Sequence, residues 1–178
     1  MYSGPTIVLF FLAALAIAPL VWVSHYIGPQ GSPGRQTQEA HALAEAMMVQ
    51  QQAVLTAVRA SEIGAGAVST ANIQTLMPAP WSPPYPSDVQ TVVGTTAAAS
   101  TVVVTWYKGA RVSTGALITA MADVAGYIGL DQGYLTYPPT VGTLSADGNT
   151  FNSTGQSALT FSASLQTGGM RAAFAEIK

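Results

Sequence analysis

Two histidines, His25 and His41, and eight carboxylates, at Glu39, Glu45, Glu62, Asp88, Asp123, Asp131, Asp147 and Glu176, are the side chains here that could move protons or hold a metal. They do not fall into a working pattern. The histidines lack the HExxH spacing that places two ligands on one helix face, so neither is expected to bind metal. No two carboxylates are spaced as a general acid and base. The sequence also lacks a GxxxxGK[ST] phosphate loop, a GxSxG elbow and any cysteine nucleophile. Asp147-Gly148-Asn149 is a short oxygen-rich run with a single carboxylate and no bidentate glutamate at calcium-loop spacing, so it reads as a tight turn. Asn152-Ser153-Thr154 matches a glycan sequon, a pattern too common to carry an assignment. The expectation is a protein without cofactor or metal that is not an enzyme.

Composition narrows the remaining classes. Only 8% of the residues are charged and the net charge is −2, so a basic face for nucleic acid is not available. So little charge suits a chain whose surface is covered by neighbours or by lipid rather than by water alone. With no cysteine, disulfides are excluded.

The stretch that must be placed first is residues 7–23, IVLFFLAALAIAPLVWV, which carries no charge. Ile7, Leu9, Phe10, Phe11, Leu15, Ile17, Pro19, Val21 and Trp22 are its candidate lipid-facing or filament-core residues. The anchor is expected over residues 1–27, of which a helix over residues 6–27 has the length to cross a hydrocarbon core of ~30 Å. Residues 1–6 contain no Lys or Arg, and Pro19 directly follows the small-residue run Ala16-Ile17-Ala18. The stretch is therefore expected to be a retained transmembrane anchor rather than a cleaved signal. Residues 28–36, with Pro29, Pro33, Gly28, Gly31 and Gly34, read as a linker, and 37–178 as one exported domain.

Within that domain, residues 37–60 show helical spacing. Leu43, Met47, Val54 and Val58 form a narrow apolar stripe expected to dock on a sheet, Thr37 is the expected cap, and His41, Glu45, Gln52 and Arg59 lie opposite. Residues 65–87 read as a proline-rich connection pinned by Trp81. Val89, Thr91 and Val93 then alternate with other residues, and Thr101–Tyr107 is the strongest strand. Residues 113–124 read as a second helix capped by Ser113. Residues 127–130 and 134–137 read as a hairpin turning at Asp131-Gln132-Gly133, and residues 158–165 and 170–177 as two last strands joined through Gly168-Gly169. The expected fold class is α+β: an N-terminal transmembrane helix, then an amphipathic helix packed on an antiparallel β-sheet.

Several short runs carry a resemblance. Ala42-Leu43-Ala44-Glu45-Ala46-Met47, Pro80-Trp81, the strand 103–107, Gly115-Ala116-Leu117, Gly126-Tyr127-Ile128-Gly129-Leu130 and Gly133-Tyr134-Leu135 occur in an order similar to that of the PilM-type membrane proteins of thin (type IVb) pilus systems. The likeness covers residues 39–135. It implies a small bacterial inner-membrane protein with a periplasmic domain serving pilus assembly, in contact with other pilus-system proteins. The order of elements is also similar to the pilin plan, in which N-terminal helices bundle in a filament core. That likeness implies an extracellular filament subunit contacting copies of itself. Leu9 stands where a pilin processed at Gly4 would carry glutamate.

Overall fold

The computed structural model describes residues 32–77, 84–131, 139–153 and 156–177. The chain divides into two units, Met1–Gln38 and Glu39–Lys178, and the strands among the described residues all belong to the second. The elements are α1 (Ser32–Arg59), β1 (Gly66–Ala67), α2 (Thr70–Leu76), β2 (Val89–Thr95), β3 (Thr101–Tyr107), α3 (Thr114–Asp131), β4 (Thr140–Leu144), β5 (Thr150–Ser153), β6 (Leu159–Thr160) and β7 (Arg171–Ile177).

The strands form one seven-stranded antiparallel sheet in the order β1-β2-β3-β7-β4-β5-β6. β7 lies between β3 and β4 and pairs antiparallel with both. β3 and β4 therefore run in the same direction, and α3 connects them. The far strand returns to the near one: Ala97 N donates to Thr160 O at 2.8 Å, and Ser162 N to Thr95 O at 2.9 Å. Those bonds, with the Thr96–Phe161 bridge, close β2 through β6 into a ring at one end. β1 pairs with Val92 and Val93, so two short strands share the outer edge of β2.

The pleat sends alternate residues to opposite faces, and both faces are buried. The inside of the ring holds Val102, Val104, Trp106, Leu144, Phe151 and Phe161. The other face takes the helices. Leu117, Met121 and Val124 of α3 meet Val89, Tyr107 and Phe174 there, while α2 adds Ile73 beside Val93 and Val103.

The transmembrane part of the expected fold class is corrected. Among the described residues no helix is long and apolar enough to cross a membrane. α1 carries Arg35, Glu39, His41, Glu45 and Arg59, and α3 carries Asp123 and Asp131. Residues 7–23, with Ile7, Leu9, Phe10, Phe11, Leu15, Ile17, Pro19, Val21 and Trp22, lie outside the described residues, as do Trp81 and the second arm of the expected hairpin at 134–137. What stands is an α+β fold, with an antiparallel sheet and three helices among the described residues.

Other boundaries differ from expectation. α1 starts at Ser32, inside the expected linker, with Pro33 in its first turn, where the missing N–H is no loss. Thr37 is therefore inside the helix rather than its cap. α3 runs on to Asp131, so residues 127–130 are helical instead of a hairpin arm. β6 is only two residues long, and β7 pairs with β3 and β4 rather than with β6. α2 arises within the proline-rich connection, capped by Ser69 Oγ, which accepts from Asn72 N at 3.2 Å.

Candidate functional site

The face of α1 that meets the sheet is wider than a narrow stripe. Leu43 and Met47 are buried against α3 and Val89. Val54 and Val58 are buried with Val93 and Val103. Between these two apolar stretches the helix turns Gln50 and Gln51 into the sheet, 2% and 0% exposed. Buried amides need partners. Thr91 and Thr105, directly opposite each other on β2 and β3, supply them.

Gln50 Nε2 donates to Thr91 Oγ1 at 2.9 Å, and Thr105 Oγ1 donates to Gln51 Oε1 at 2.6 Å. The two threonine hydroxyls are 2.8 Å apart. Thr105 has one hydroxyl proton and has given it to an oxygen that can only accept, so Thr91 must donate to Thr105. Gln51 Nε2 donates in turn to the carbonyl of Val103 at 2.8 Å. The chain of bonds therefore runs one way, from one glutamine to the next through two hydroxyls.

The next glutamine, Gln52, donates to Glu176 Oε2 at 3.0 Å, and Arg59 Nη2 lies 3.2 Å from Glu176 Oε1. Burial pushes the Glu176 carboxyl up from its ordinary value, against the pull of Gln52 and Arg59. On the outer side of the helices, His41 Nε2 is 3.2 Å from Asp123 Oδ2.

The remaining chemistry-bearing side chains are apart from this seam. The Tyr107 hydroxyl is buried, and burial pushes its phenol up against the pull of the backbone at Arg111 and Val112. Its ring tilts against Tyr85 at 6.4 Å between centroids, and Arg111 sits 5.0 Å over Tyr85. Asp147 sits in the β4–β5 turn. Its carboxylate accepts from Ser145 Oγ and from Asn149 N, and these bonds, Ser145 foremost, hold it below the ordinary carboxylate value. The turn expected from the sequence is there, with Gly148 at φ 70°.

A cleft of about 350 Å³ opens beside the seam, lined by Gln50, Val68, Ser69, Ile73, Gln74 and Gln90 among others, with no charged residue in its wall among the described residues. Among the described residues no three His, Cys, Asp or Glu side chains are grouped to hold a metal ion. The feature that sequence reasoning missed is the burial of Gln50 and Gln51. The available signal is a threonine at an inward position on each of two adjacent strands, facing a helix that interrupts its apolar stripe with glutamines.

No protein-family profile, curated protein or solved structure matches this chain.

Proposed function

We propose that this chain is a non-enzymatic component of pilus assembly of the type IVb kind, held at the bacterial inner membrane with its α+β domain in the periplasm. The observation that carries this reading is where the resembling runs fall. Residues 42–47 lie in α1, 103–107 in β3 and 115–117 in α3, which are the elements that build the shared helix–sheet core. The likeness therefore concerns the part of the chain that makes the fold. A scaffolding role is supported by the employment of its charged groups, since His41, Glu176 and Asp147 all sit in structural contacts. The charge-free run at 7–23 is the part that would contact lipid or copies of the same chain.

A filament subunit is the second reading. Val49, on α1, is 44% exposed, an apolar side chain on a long helix of the kind that packs against like helices in a filament. Cell fractionation and shearing separate the two. An assembly component stays with the inner membrane, and its deletion abolishes surface fibres. Recovery as the main constituent of sheared fibres would overturn that reading in favour of the filament subunit.

A further inference from the structure

We infer that the Gln50–Thr91–Thr105–Gln51 chain is a register lock, the device that decides where along the sheet α1 sits. The apolar contacts alone decide this poorly. Leu43 and Ala44, Met47 and Met48, then Val54 and Leu55, then Val58 put buried apolar side chains on successive turns of one helix face. A slide by one turn moves α1 by about 5.4 Å and, away from Gln50 and Gln51, exchanges apolar residues within the stripe for one another. Methionine adapts to irregular space, so Met47 and Met48 tolerate the exchange better than branched residues would.

The glutamine pair is the one feature of the stripe without a counterpart a turn away. Slid by a turn, Gln50 and Gln51 lose the hydroxyls of Thr91 and Thr105, and those hydroxyls face aliphatic carbon. Both glutamines are then buried amides without their hydroxyl partners, and the two threonines keep only each other. Satisfied networks of this kind can specify one arrangement without adding net stability, because near-isosteric apolar replacement of all partners is often neutral. The lock therefore acts on uniqueness. It works in concert with Gln52 and Arg59, which reach Glu176 from the same helix.

The test uses the full chain and two variants. Gln51→Leu takes away the acceptor of the buried Thr105 hydroxyl proton and is expected to lower the melting temperature by roughly 5 °C. The quadruple variant Gln50→Met, Gln51→Met, Thr91→Val, Thr105→Val is expected to melt within a few degrees of the parent. Its distance distribution between spin labels should differ from that of the parent. Because the chain has no cysteine, Val49→Cys and Asn152→Cys take the labels uniquely. The parent should give one narrow distance. The quadruple variant should give a broadened distribution or a second one displaced by about 5 Å. An unchanged narrow distance in the quadruple variant would overturn the lock. So would an unfolded quadruple variant, which would make the seam a source of stability instead. A Gln51→Leu protein as stable as the parent would overturn it as well.

Discussion

Arg59 and Glu176 join the last turn of α1 to the end of β7 through an ion pair of 3.2 Å, although Arg59 is largely exposed and Glu176 is not. The asymmetry sets the pH behaviour. Burial raises the Glu176 carboxyl above its ordinary 4.5, so the folded protein holds that proton more tightly than the unfolded chain. The stability this contributes is complete below 4.5 and is lost as pH rises through the raised value. The denaturant midpoint should therefore carry a component that declines on going from about pH 4.5 toward neutrality. Glu176→Gln, which cannot ionise, should flatten that component. Equal slopes in parent and variant would show that Glu176 does not contribute.

Asp147 has the opposite sign. Ser145 and Asn149 hold its carboxylate below the ordinary 3.8, so its contribution is present above that value and is lost as pH falls through the depressed one. Asp147→Ala should accelerate amide exchange at Asn149, whose N–H loses its acceptor, while the amides of β3 stay protected. Unchanged exchange at Asn149 would rule the contact out.

Truncation separates the faces of α1. Leu43 is fully buried, and Leu43→Ala should destabilise the protein by about 2–5 kcal/mol, read from chemical denaturation. Glu45, on the exposed side, should change little on replacement by Ala. Gln52 is not silent despite its sequence position opposite the stripe, because it holds Glu176. Similar losses for Leu43→Ala and Glu45→Ala would show that the buried face is misassigned.

Gly142 on β4 allows no side chain. A Cβ there would run into the carbonyl of Asn152 on β5 and stand 2.8 Å from Phe151 Cζ. Gly142→Ala is expected to destabilise by about 1–3 kcal/mol through overpacking, seen as a lower melting temperature. Gly115→Ala meets nothing within 4 Å and is the control. No difference between the two would remove the steric argument.

Part of the fold is legible in the sequence alone. Thr101–Tyr107 has the β-branched density of a strand, and Ser113 the chemistry of a helix cap, with Oγ accepting from Ala116 N at 3.3 Å. Other parts are not, because tertiary contacts override local signals. Tyr127 and Ile128 have strand propensity, yet their backbone continues α3. Pro33 and Gly34 suggest a linker, yet the first turn of a helix accommodates both. Gln50 and Gln51 look like a polar interruption because their partners lie on strands 41 and 54 positions away. The candidate docking residues Leu43, Met47, Val54 and Val58 follow from spacing alone, whereas the seam between them needs the strand register.

The central position of β7 bears on the order in which the chain can fold during synthesis. β3 and β4 both bond to β7, yet both precede it in sequence. Until Arg171–Ile177 emerges from the ribosome, β3 and β4 lack the strand between them, and the groups β1-β2-β3 and β4-β5-β6 can meet only through the bonds around Thr96 and Phe161, each with an open edge. Open edges invite pairing with the wrong chain. A nascent chain that stalls before residue 171 would thus present two adhesive strands at once, and chaperone cover would matter most in that interval.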